Sequence, residues 1–273
     1  MPRKTRREVA EEFTPRSLQF SVIPCPPAAK KRGCAQAIHR SLSILPILSS
    51  QNAPGADSAR RIVILISGRG SNMRSIVEAC VAEGWPARVA AVIANKPDAA
   101  GLAWAAEQGL HTEVVAHREF SSREAFDAAL AERVDAHRPD LVLLAGFMRV
   151  LTPGFVARYE GRLVNIHPSL LPAFPGLHTH AQALAVGVQA HGCTVHYVTP
   201  VLDHGPIIAQ GVVPVLAGDT ADTLARRVLE VEHKVYPAAA RWLAEGRVRL
   251  AQGVVQVDGA PARLFIQEAS HAG

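Results

Sequence analysis

From Arg60 onward the chain alternates short β-branched runs with alanine-rich segments of helical spacing, and this alternation constrains its fold more than any other feature. A β-rich run, a helix and another β-rich run make the βαβ unit, which forces parallel strands covered by helices. Strands are expected at Arg61 to Ser67, Val89 to Asn95, Thr112 to Ala116, Leu141 to Gly146, Arg162 to Pro168, Cys193 to Thr199 and Ile207 to Val215. The clearest helices run from Ser71 to Ala82, Ser122 to His137 and Thr220 to Gly246. In the last of these, Leu224, Val228, Val231 and Val235 form one apolar stripe that reads as core. Pro237 predicts a kink or two successive helices near Tyr236. The alternating valines between Gly253 and Gly259, with an Asp-Gly turn at Asp258, predict a terminal hairpin. The expected fold class is α/β, a doubly wound, mostly parallel sheet flanked by helices.

At 273 residues and 48% hydrophobic, the chain can bury one large domain or two small ones. Residues 1–59 differ from the rest: they carry 9 Lys/Arg, 4 Asp/Glu and seven prolines, against 20 Lys/Arg and 20 Asp/Glu afterwards. They read as a linker-like, disordered extension, a dispensable tail or start-site artefact more than a functional arm. Residues 60–251 are expected to form the catalytic domain and 252–273 a hairpin or tail. The basic balance belongs to the extension, so it gives no warrant for nucleic-acid binding by the folded part. No apolar stretch approaches the length needed to cross a bilayer. Four scattered cysteines suggest neither a disulfide framework nor a zinc set, and a cytoplasmic setting is expected.

The first strand runs into Gly68-Arg69-Gly70-Ser71-Asn72 and then into a helix. A helix start offers unpartnered N–H groups and partial positive charge, and glycines let the backbone approach an oxyanion. The same residues would also serve a plain strand-to-helix turn with Ser71 as its cap. Met73 stands where a dinucleotide fingerprint needs its third glycine, so NAD is disfavoured, and no Walker loop follows. A monophosphate suits the loop better.

The densest chemical signal is Asn165-Ile166-His167-Pro168 at a strand end, where alternation puts an amide and an imidazole on one side. Asp203 follows 36 residues later, in a Gly205-Pro206 turn between two strands. An Asn, a His and an Asp from two loops can polarise an oxyanion and move a proton. Singly, each also reads as a strand-end histidine or a turn aspartate.

Together with LISGRGSN (Leu65 to Asn72), ANKPDAAGL (Ala94 to Leu102), AGFMRVL (Ala145 to Leu151), NIHPSLLPAFPGLHTH (Asn165 to His180) and VLDHGP (Val201 to Pro206), these residues resemble the glycinamide ribonucleotide formyltransferase family over residues 61–250. The resemblance implies a Rossmann-like formyltransferase fold, and Gly70, Ser71 and Asn72 on the substrate phosphate with Glu232 on its ribose. It implies 10-formyltetrahydrofolate as co-substrate, held by Met148, Arg149, Val150 and Leu151 around the pterin and by Asn165 and the loop Thr199, Pro200, Val201, Leu202 and Asp203, with Arg123 near the phosphate or the folate. Three departures fall at His204, where the family commonly has glycine, at Pro200, and at Leu229 near the ribose.

The implied reaction is attack by the neutral amine of 5'-phosphoribosylglycinamide on the formyl carbon, a step of purine biosynthesis. Asn165 and a protonated His167 would stabilise the oxyanion, with Asp203 favouring the imidazolium and relaying the amine proton through water. No covalent intermediate and no metal is called for, and His178 and His180 make no ligand cluster. Partners are small molecules, with no nucleic acid and no membrane, acting on a monomer or homodimer. Methionyl-tRNA formyltransferase is a rival function that shares the Asn, His and Asp but not the phosphate loop. A non-catalytic folate- or nucleotide-binding regulator and a folate deformylase are weaker rivals.

Overall fold

The computed structural model of the chain describes residues 59–260 and 262–268, and the expectations for residues 1–58 lie outside the described residues. The alternation becomes β1 (Arg60–Ile66), α1 (Ser71–Ala82), β2 (Ala87–Ala94), α2 (Ala100–Glu107), β3 (Thr112–Val114), α3 (Arg123–Ala136), β4 (Leu141–Leu144), α4 (Pro153–Arg158), β5 (Leu163–His167), α5 (Thr179–Val186), β6 (Ala190–Tyr197), β7 (Ile207–Pro214), α6 (Ala221–Ala244), β8 (Val248–Ala251), β9 (Val254–Val257) and β10 (Leu264–Ile266). Eight strands form one sheet in the order β10-β7-β6-β5-β4-β1-β2-β3. Pairing is parallel except at β5-β6 and β6-β7. The sheet is thus mostly parallel and covered by helices, as expected.

β1 shows how this is encoded. It is apolar at every position from Ile62, yet Ile62, Ile64 and Ile66 join one core cluster while Val63 and Leu65 join another. A strand buried on both faces needs no polar alternation. The first cluster includes the α1 and α6 side, where Met73, Ile76 and the stripe Leu224, Val228, Val231 and Val235 are buried. The second takes Phe126, Leu130 and Val134 of α3 together with Phe155 and Tyr159.

Two expectations are corrected. α6 is a single helix through Pro237, not two. Proline removes one helical hydrogen bond, but the helix continues past it, packed by buried residues on both sides: Val231, Val235, Tyr236, Ala239, Ala240 and Leu243. The Tyr236 hydroxyl also donates toward Leu144 O at 3.1 Å and Val164 O at 3.2 Å, fastening the helix to β4 and β5. The hairpin is β8-β9, turning at Gln252 and Gly253 rather than at Asp258. Both turn residues have positive φ, 53° and 77°, the backbone that a two-residue hairpin requires. Asp258-Gly259 instead follows β9 in the stretch before β10, which adds to the main sheet beside β7.

Candidate active site

The β1–α1 loop is built by backbone. Gly70 is the residue before α1 and takes the left-handed conformation, φ 70° and ψ 30°, with no side chain capping the helix. Ser71 is therefore the first helical residue and not the cap. A Cβ on Gly70 would meet Met73 Cε at 2.9 Å and Gly101 Cα at 3.2 Å. Gly101, at the start of α2, donates its N–H to Gly68 O at 3.0 Å and so supports the loop from behind. This gives the ANKPDAAGL segment a structural role that sequence reasoning missed.

Asn72 and Glu232 meet across 160 residues of chain: Asn72 Nδ2 donates to Glu232 Oε2 at 2.6 Å, and both residues are buried. Burial pushes the Glu232 carboxyl up to about 7, against the lowering effect of the Asn72 hydrogen bond. Asn72 Oδ1 is buried without a partner. A polar atom so placed beside a helix start with free N–H groups is a natural contact for a polar ligand.

The second cluster is built by side chains. Asn165 and His167 share a face of β5, as alternation predicts, and Asp203 comes from the β6–β7 loop. Asp203 Oδ2 stands 3.4 Å from His167 Nδ1 and accepts the Gly176 N–H at 2.9 Å. His167 Nε2 lies 3.0 Å from Phe174 O. Both ring nitrogens thus face oxygen acceptors, which fixes the orientation of the ring. Asp203 itself has φ 51°, and a Cβ on Gly205 would fall 1.6 Å from Tyr197 O, so the loop passes against β6 only because glycine stands there.

His196 joins the cluster without any signal in the sequence. It pairs with Asn165 in the β5-β6 register, and its Nε2 lies 3.3 Å from Asn165 Nδ2. Burial lowers its pKa and favours the neutral ring, partly offset by its bond to Tyr197 O and by Asp203. Its Nδ1 donates to Tyr197 O at 2.9 Å, which leaves Nε2 as an acceptor that orients the Asn165 amide. Only the register of the antiparallel pair, invisible before the fold is known, points to this residue.

Two loops carry exposed apolar side chains nearby in sequence: Met148 and Val150 after β4, with Met148 63% exposed, and Val201 and Leu202 after β6. The first is anchored by Met148 N on Ser67 Oγ at 2.8 Å and by Thr152 N on Asp127 Oδ2 at 2.6 Å. Arg149 sits over the Phe126 ring, Leu151 is buried in the α3 and α4 core, and Arg123 is exposed at the first turn of α3. Thr199 donates to Val201 O, while Pro200 and His204 are exposed and Leu229 is half-buried. The grooves beside α6 (Ser75, Glu83, His233, Arg241) and beside β7 and β9 (Ile207, Gln210, Val255, Arg263) contain none of Asn165, His167 and Asp203.

An anion-ready helix start and an amide, imidazole and carboxylate cluster on one α/β sheet define a group-transfer enzyme rather than a dinucleotide oxidoreductase, and the comparisons with known proteins agree. The chain belongs to the formyl transferase family, whose model matches residues 60–240. It is 50% identical over 198 residues to the phosphoribosylglycinamide formyltransferase of Escherichia coli (strain K12), covering 72% of this chain and 93% of that one. The glycinamide ribonucleotide transformylase 1 of Symbiobacterium toebii aligns with TM-score 0.71 at 48% identity, over 73% of this chain and 94% of that one. A formyltetrahydrofolate deformylase from Pseudomonas syringae aligns with TM-score 0.68 at 29% identity, over 73% and 66%.

Proposed function

We propose that this enzyme transfers the formyl group of 10-formyltetrahydrofolate to the amine of 5'-phosphoribosylglycinamide, in purine biosynthesis. The observation that carries the reading is the pairing of a backbone anion site with the Asn165, His167 and Asp203 cluster on one sheet. The phosphate sits on the N–H groups from Gly70, Ser71 and Asn72, and Glu232 meets the ribose. The pterin lies among Met148, Arg149, Val150, Leu151 and the Thr199 to Asp203 loop, with Arg123 toward its acidic tail.

The neutral amine attacks the formyl carbon and forms a tetrahedral oxyanion. Asn165, held by neutral His196, keeps one amide N–H for that oxygen. His167 supplies the second donor when the Phe174 carbonyl gives way to substrate. Asp203 stabilises the imidazolium, and the amine proton leaves through water. Collapse breaks the bond between the formyl carbon and N10, N10 takes up a proton through the same water, and tetrahydrofolate and the formylated amine leave. We place the reaction in the cytoplasm, where free thiols such as the buried Cys80 and Cys193 persist. No helix among the described residues is long and apolar enough to cross a membrane.

The test is a transfer assay with both substrates, run beside formate release and beside formylation of methionyl-tRNA. Formylated product with little free formate supports the reading. Formate as the main product, or tRNA as the preferred acceptor, overturns it.

A further inference from the structure

One cluster lies outside this chemistry. His111, Glu113 and His137 show no usual ligand spacing along the chain, but the fold brings them together where edge strand β3 meets the C-terminal end of α3. His111 Nε2 and His137 Nε2 approach the same carboxylate oxygen, Glu113 Oε1, at 2.9 and 2.5 Å. One ligand atom from each lies within 4.8 Å of the others, an arrangement found once among the described residues. The side chains of Glu113 and His137 are 19% and 15% exposed, whereas that of His111 is 58% exposed.

We propose that His111, Glu113 and His137 bind a divalent transition-metal ion of the Zn²⁺ class, with water in the remaining position. Two imidazoles and one carboxylate are the donor set that borderline ions prefer, and hard ions such as Mg²⁺ and Ca²⁺ take oxygen instead. Two rings aimed by the same nitrogen at one oxygen must each place a proton there when no ion is bound. A single cation replaces both protons, and the atoms then separate to about 3.3 Å, as tetrahedral bonds of about 2.0–2.1 Å require.

The frame is prepared for this. His137 is the residue closing α3, where the helix dipole favours a cation, and Arg61 Nε holds its carbonyl at 2.5 Å. The neighbouring cation, Arg133, stands 4.0 Å from the other Glu113 oxygen and its side chain is 66% exposed, so it can retreat into solvent. His111 gives the ion an open path from outside. Once bound, the ion fastens the last strand of the sheet to the helix that carries Arg123 and Asp127.

The proposal is tested on the full chain after chelator treatment, by calorimetric titration with Zn²⁺ and by the visible absorption of Co²⁺. Expected is one ion per chain with the intense Co²⁺ bands of tetrahedral coordination. A Zn²⁺ concentration about a hundredfold above Kd raises Tm by about 5–10 °C. Glu113→Gln, His111→Ala and His137→Ala each lose that ion or weaken it at least about tenfold. His111 is exposed, so its variant folds even where the His137 variant is impaired. Absence of a saturable site, or the same ion count and affinity in His111→Ala as in wild type, overturns the proposal.

Discussion

The two ends of the candidate site are made of different material. The phosphate end is backbone: a left-handed glycine, an uncapped helix start and a second glycine packed behind it. The catalytic end is side chain: an amide, two imidazoles and a carboxylate gathered from β5, β6 and the β6–β7 loop. A backbone site tolerates changes in chemistry but not in volume. A side-chain site tolerates neither, and its charges also tie it to pH.

The largest effect is expected at the catalytic end. If His167 is the oxyanion donor proposed above, His167→Ala will lower the single-turnover rate about a hundredfold, roughly 3 kcal/mol. Asp203→Asn will also lose rate, because the His167 ring loses the carboxylate that faces its Nδ1 at 3.4 Å. The double variant will be little worse than the poorer single one if the two act as a unit. Multiplied losses across the four proteins would mean independent roles.

Next comes Gly70→Val, which puts bulk against Met73 and Gly101 and forces a branched residue to positive φ. If the loop holds the phosphate as proposed, losing a charge-assisted hydrogen bond to it is worth about 1.5–3 kcal/mol, so KM for the ribose substrate will rise about 10–100-fold. Folate affinity, measured by titration calorimetry, will change little. Equal losses for both ligands would erase the distinction between the two ends.

Glu232 shows that the phosphate end is not free of titration. Its raised pKa means that the folded chain keeps a proton which the unfolded chain releases. The stability this contributes is present below about pH 4.5 and is lost as pH rises through about 7. Between pH 5 and 8 the wild type will therefore lose about 2 kcal/mol more than Glu232→Gln, by urea denaturation. Parallel curves for the two proteins would show that Glu232 is charged in the fold throughout.

The smallest effect concerns the chain before both ends. If residues 60 onward hold the whole site, deleting residues 1–59 will leave turnover and Tm nearly unchanged. Loss of most of the turnover would place a missing part of the site in that segment.

What can be read before folding follows the same division. The phosphate loop is local, written in five consecutive residues, and Asn165 and His167 follow from strand alternation alone. His196 and Gly101 cannot be read this way: the first depends on the β5-β6 register and the second on α2 docking against the loop after β1. Local pattern puts the hairpin turn too late because Asp-Gly and Gln-Gly both fit a tight turn, and strand pairing makes the choice. Pro237 misleads for the opposite reason, since a local rule gives way to buried contacts along α6.

The bond between Asn72 and Glu232 also has a consequence in time. Asn72 leaves the ribosome 160 residues before the carboxyl group that accepts its hydrogen bond. At about 5–20 residues per second the loop waits on the order of ten seconds or more for its partner. During synthesis the Asn72–Glu232 bond can therefore form only after the last long helix has emerged.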